Sequence, residues 1–273
     1  MPPPNSDGPR KANADRPAEW LFAAPGMLLV GLLALPLLAL VLRAAGRDFF
    51  SVALSESALS ALRLSLVTSL TSVMISLLIG TPLGYAMARR RYPGRAALEL
   101  LVDLPVVLPP SVAGLALLIA FGRQGLFGGF LATFGISLPF TTAAVIIAQT
   151  FVSAPLYVRS VRIAFAGVDS QLEEAARSEG ASQWQVFTRV MLPLCRSAIL
   201  SGAILAWTRA LGEFGATILF AGNLEGVSQT MPLAIYLGFE RNLDVAVALS
   251  IVLIAVSLVL LGVMRKLNRD HES

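Results

Sequence analysis

Four groups of residues in this chain have types and spacings that could do chemistry. Arg209 and Glu213 stand four apart in an otherwise apolar run, which puts guanidinium and carboxylate on one helical face where they can pair. Charges in apolar surroundings are costly, so the two either neutralise each other inside a helix bundle, holding helices in register, or line a polar pathway or its gate. Residues Glu173 to Leu194, EEAARSEGASQWQVFTRVMLPL, form a polar, amphipathic island with the character of a docking element. Pro109 and Pro110 interrupt an apolar segment and are candidates for a kink or gate, and Arg123 with Gly125 sits in a glycine-rich run, FGRQGLFG.

The parts of an enzyme are missing from these groups. The one histidine, His271, is in the C-terminal tail, and the one cysteine, Cys195, has no nearby base and reads as a small buried apolar residue. No two acids share an apolar run, so metal, thiol and carboxylate-pair chemistry lack their components, and no cofactor or metal site is expected. No G-x-x-x-x-G-K-[ST] run is present, so ATP hydrolysis would need another chain to hold ATP and Mg. The glycines at 122, 125, 128 and 129 have no following Lys-Ser or Lys-Thr and read first as a flexible turn.

The elements that must position these groups are membrane spans. Of 273 residues, 56% are hydrophobic and 14% charged, with a mean hydropathy of +0.73, far from the averages of soluble domains. Apolar runs at 21–42, 64–88, 104–121, 138–158 and 245–264, with a sixth at 197–222 holding Arg209 and Glu213, are each about long enough to cross a hydrocarbon core of roughly 30 Å. In 104–121 the prolines Pro105, Pro109 and Pro110 predict a helix that starts after a broken entry segment. The expectation is an all-α, polytopic membrane protein with six transmembrane helices.

Basic residues set the topology. With the N-terminus in the cytoplasm, 15 Arg and Lys residues fall inside, from Arg10, Lys11 and Arg16 through Arg89, Arg90 and Arg91 to Arg269, and 4 fall outside, Arg43, Arg47, Arg123 and Arg241. Both termini are then cytoplasmic, and the polar island lies in the cytoplasmic loop between spans four and five. The net charge of +4 follows from this bias and needs no nucleic-acid partner. Residues 1–20 read as a disordered Pro-rich tail, 21–42 as a retained first span rather than a cleaved signal, 62–266 as a five-helix core, and 267–273 as a second tail.

Within the island, Ser170 with Glu173 and Ser182 with Gln185 each have capping-box spacing, predicting a helical hairpin over 169–193. Gly180 is placed for the left-handed turn, and Trp184, Phe187 and Met191 form one apolar stripe until Pro193 stops the run. Ala175 and Ala176 offer a flat surface flanked by Glu173, Glu174 and Glu179, against which another protein could lie closely. By shape alone the hairpin could equally rest on lipid headgroups.

The sequence Glu174-Ala175-Ala176, then Gly180, Val190 and Leu192-Pro193, resembles the EAA signature of ABC importer permeases, with valine where isoleucine is usual. The resemblance implies a type I permease fold in which this hairpin is the coupling element seated in a separate ATPase subunit. Glu173, Glu174, Ala175, Ala176, Gly180, Trp184, Leu192 and Pro193 would then be docking or turn positions. LPVVLPPSVAG (104–114), RALGEFGATILFAGN (209–223) and SQTMPLAIYLGFE (228–240) are similar to the sulfate and molybdate branch of that family, and more to its molybdate members. FGRQGLFG is similar to an external loop of those permeases, which makes Arg123 and Gly125 candidates for docking a solute-binding protein. The resemblance implies two ATPase subunits, a second permease copy and an extracytoplasmic binding protein as partners. A sulfate or thiosulfate permease is the nearest alternative, and an ion-coupled secondary carrier using Arg209 and Glu213 is the alternative from a different class.

Overall fold

The computed structural model describes residues 16–44, 49–90 and 93–269. The tail residues 1–15 and 270–273, and with them Arg10, Lys11 and His271, lie outside the described residues, as do Arg47 and Arg91. Helix is the only regular structure among the described residues. The elements are α1 (Arg16–Arg43), α2 (Phe49–Ala53), α3 (Glu56–Arg89), α4 (Arg95–Val107), α5 (Pro110–Phe121), α6 (Gly128–Thr133), α7 (Thr142–Gly167), α8 (Ser170–Ser178), α9 (Gln183–Leu194), α10 (Arg196–Leu211), α11 (Gly215–Phe220), α12 (Met231–Arg241) and α13 (Leu243–Arg269).

Residues 1–47 and 48–273 are separate compact units. In the first, α1 begins at Arg16, so residues 16–20 are helical rather than tail, and its described side chains from Met27 to Leu42 are mostly exposed and apolar. In the second, α13 runs through to Arg269, past the expected boundary at 266.

Small side chains decide how the second unit packs. Ser72 Oγ lies 3.3 Å from Ser153 Oγ, Thr81 bonds Tyr157, and a Cβ added to Gly84 would stand 2.5 Å from Val161 Cγ2. These pairs advance together along both chains, so α3 and α7 run parallel in close contact, as small residues permit between membrane helices. Two parallel neighbours need a returning segment between them, and α4 with α5 supplies it. The next crossing, α10, runs the other way: Gly202 packs on Ser160 and Tyr157, and Trp207 Nε1 donates to Ser69 Oγ at 2.9 Å. Beyond it, Met231 N donates to Ser65 Oγ at 2.7 Å, seating α12 on the start of α3, and α13 returns past Ala58 through Leu249.

The sequence picks out apolar runs more simply than the chain builds them. α3 and α7 are long, continuous apolar helices, but α4 and α5 are joined by a bend of 118°, and α9 and α10 by one of 74°. The expected break before residue 110 is present, with an additional helix, α4, ahead of it. The run 197–222 is not one helix: α10 stops at Leu211, and α11 begins at Gly215. Gly212 has room for a side chain, whereas a Cβ on Gly215 would stand 2.7 Å from Pro110 Cβ. Of the two glycines flanking the break, Gly215 is the one that permits close approach.

Candidate functional site: a coupling hairpin and a broken-helix centre

The hairpin is anchored by residues that its own sequence does not reveal. Glu173 is 5% exposed, and its carboxylate lies 2.8 Å from Arg89 Nε on the last turn of α3 and 3.0 Å from Arg177 Nη2. Tyr85 Oη donates to the same carboxylate at 3.3 Å, and Arg89 also donates to the Val168 carbonyl at the end of α7. One acid therefore joins the hairpin to α3, while its arginine partner reaches α7. Beneath it, Tyr85, Phe165, Phe187 and Met191 form an apolar cluster in which the Tyr85 ring is 5.4 Å from Phe165 and 5.0 Å from Phe187.

This inward role changes three sequence readings. Glu173 is an anchor rather than a flank of the outer surface. It also does not close a capping box with Ser170: the N-cap of α8 is Asp169, whose carboxylate accepts from Gln171 N at 3.0 Å, and Ser170 is the first helical residue. Finally, the Trp184 and Phe187 rings do meet, at 5.7 Å, but Trp184 is 70% exposed while Phe187 and Met191 are buried, so the stripe runs from the surface into the cluster rather than lying wholly against a partner. A π-helical stretch over Val186–Met191 widens the turn ahead of Pro193.

Other expectations hold. Ser182 and Gln185 form a reciprocal capping box, with Gln185 N donating to Ser182 Oγ at 3.3 Å and Ser182 N donating to Gln185 Oε1 at 2.8 Å. Gly180 has φ +89°, the left-handed conformation the turn requires. Glu174, Ala175, Glu179, Gly180 and Pro193 are exposed, and Ala176 and Leu192 are half-buried against the apolar cluster. Cys195 is buried.

The second place lies where the two broken segments meet. Arg209 Nη1 is 2.6 Å from Glu213 Oε2, and the other carboxylate oxygen accepts from Ala216 N at 2.8 Å. Glu213 is 1% exposed, and the Arg209 side chain 31%. Glu213 therefore does two tasks: it neutralises Arg209, and it satisfies an amide at the start of α11. Across from this break, Pro110 and Ser111 at the start of α5 touch Gly215, and a Cβ on Gly114 would stand 2.8 Å from the Ala216 carbonyl oxygen. The structure thus brings Pro110 of the proline pair against the segment that Glu213 caps. The Arg209–Glu213 pair sits where one chain break faces another.

At the end opposite the hairpin, Arg123 Nε donates to Ser137 Oγ at 3.2 Å beside a cavity of about 320 Å³. The glycine-rich run is a tight turn rather than a loose one: a Cβ on Gly125 would meet the Ile119 carbonyl at 2.4 Å, and one on Gly128 the Gly122 carbonyl at 2.2 Å.

A bundle of broken and continuous apolar helices with a capped polar hairpin at one end defines a polytopic transport subunit. Residues 80–272 match the family described as "Binding-protein-dependent transport system inner membrane component", and the chain belongs to that family. The chain is 43% identical over 245 residues to the "Molybdenum transport system permease protein ModB" of Mycobacterium tuberculosis, covering 89% of this chain and 92% of the relative. It is 35% identical over 246 residues to the "Probable sulfate transport system permease protein cysT" of Chlorokybus atmophyticus, covering 89% and 86%. A solved bacterial alginate ABC transporter, in complex with an alginate pentasaccharide-bound periplasmic protein, has the same fold. Its TM-score is 0.80 at 20% identity, with 96% of this chain and 98% of that one covered.

Proposed function

We propose that this chain is the permease of an ATP-driven importer for molybdate, with tungstate as a near-isosteric alternative cargo. The observation that carries the reading is the 43% identity to a molybdenum permease across nearly the whole chain, against 35% for the sulfate permease. The charge bias places both termini and the hairpin in the cytoplasm. Two ATPase subunits, carrying ATP and Mg, dock on two hairpins of a permease homodimer through Glu174, Ala175, Ala176 and the Gly180 turn. An extracytoplasmic binding protein delivers the anion to the opposite end, where Arg123 lies. Closure of the ATPase dimer draws the hairpins together and moves the spans by rigid-body rotation, with the paired helix breaks as the flexing points. Family membership gives the carrier alternative no support, since an ion-coupled carrier has no use for a docking hairpin.

The test is uptake by cells or vesicles holding the cognate ATPase and binding protein. Labelled molybdate is expected to enter with ATP present and to be displaced by tungstate at comparable concentration. Displacement by equimolar sulfate, with negligible molybdate uptake, would move the chain to the sulfate reading. The docking surface has its own check. Gly180→Val forces a β-branched residue into the left-handed region at a cost of about 1–2 kcal/mol, so ATPase co-purification should fall while the chain still inserts in the membrane. Wild-type recovery of the ATPase would remove Gly180 from the joint.

A further inference from the structure

Met74, Leu78, Pro82 and Ala86 recur every four residues along α3 and form one continuous i, i+4 row that winds around the helix, with Arg90 following as its C-cap. Met74 is 53% and Leu78 71% exposed, and the adjacent Ile79 is 65% exposed. Towards the hairpin this stripe becomes one wall of a groove of about 460 Å³, with Pro82, Ala86 and Arg90 on one side and Gln183, Trp184 and Phe187 on the other. Arg89 is consumed by Glu173, but Arg90 is exposed and pairs with no acid among the described residues. No acidic residue among the described residues lines the groove.

We infer that this groove binds an anionic phospholipid, with one acyl chain along the α3 stripe and the phosphate on the Arg90 guanidinium. Length, polarity and charge all fit. Leu78 to Arg90 spans about 18 Å of helix, comparable with one leaflet of a hydrocarbon core roughly 30 Å thick. The exposed Trp184 indole and the Gln183 amide stand beside the cation, the composition expected where a helix leaves the hydrocarbon for the headgroups. A zwitterionic headgroup would bring its own cation to a groove that offers it no carboxylate, which favours a net negative lipid. The lipid would touch α3 and α9 together, and so would bridge a span and the hairpin. The inference rests on the membrane-spanning fold alone and is independent of the cargo.

Native mass spectrometry of the full chain, exchanged with phosphatidylglycerol and phosphatidylcholine in detergent, tests this. The wild type should retain phosphatidylglycerol in preference, and R90Q should lower that retention about fivefold, the effect of one interfacial cation. R90K should keep most of it, and A86W, which fills the groove, should abolish it with the melting temperature of the lipid-free protein unchanged. Millimolar inorganic phosphate or glycerophosphoglycerol should not displace the lipid, since neither has an acyl chain. Equal retention by R90Q, equal retention of phosphatidylcholine, or displacement by phosphate would each overturn the assignment. So would weakened self-association or ATPase binding in R90Q with lipid retention intact, which would give the groove to a protein partner.

Discussion

Glu173→Ala is expected to reduce the folded yield of the chain sharply, with a loss of stability on the order of 3–5 kcal/mol. The substitution leaves the Arg89 guanidinium, whose side chain is 15% exposed, with only the Val168 carbonyl among its described partners. It also removes the acceptor of the Tyr85 hydroxyl. A buried charge without its counterion costs more than the pair gains, so the double variant Arg89→Met with Glu173→Leu should recover much of the yield. Arg177→Ala is the control: its side chain is 52% exposed, and loss of that contact should cost no more than about 1 kcal/mol. Monodisperse yield and thermal melting in detergent measure all three. Wild-type stability in Glu173→Ala, or a double variant as poor as the single, would show that the acid does not hold the hairpin to α3.

This joint marks the limit of what local sequence conveys. The hairpin itself was legible, because Gly180, the Ser182–Gln185 box and the alternation of polar and apolar residues all act within a few positions of one another. Which of two adjacent acids points inward was not. Glu173 and Glu174 have the same chemistry, and their different fates follow from Arg89 and Tyr85, which are more than 80 residues away along the chain. The spans show the same division. Hydropathy locates each apolar run, yet it is blind to direction, so the 118° bend at Leu108–Pro109 and the stop at Gly212 emerge only when the segments pack. The prolines gave a cue for the first break. At the second, a carboxylate in an apolar run was the available signal, and it read equally well as half of an ion pair on one continuous helix.

The two tasks of Glu213 give an asymmetric expectation for the central pair. Arg209→Ala leaves a carboxylate that is 1% exposed facing a single amide, so it should cost the larger amount, on the order of 3–5 kcal/mol. Glu213→Ala leaves an arginine whose side chain is already 31% exposed and can turn towards open space, although the amide of Ala216 also loses its acceptor, a cap worth about 1 kcal/mol. Glu213→Gln keeps an oxygen for that amide and should be milder than Glu213→Ala. It follows that Arg209→Ala with Glu213→Gln, which removes both charges and retains the cap, should fold better than Arg209→Ala alone, and the coupling between the sites should appear in a double-mutant cycle of melting temperatures. Uptake then separates the two roles the pair could serve. If the pair holds the hinge, the charge-free double variant transports its anion once it folds. If Arg209 guides the anion, the same variant folds and fails to transport. The geometry favours the first outcome, because Glu213 sits 2.6 Å from the guanidinium and cancels most of the field an approaching anion would sense. Additive losses with no recovery in the double variant would count against pairing altogether.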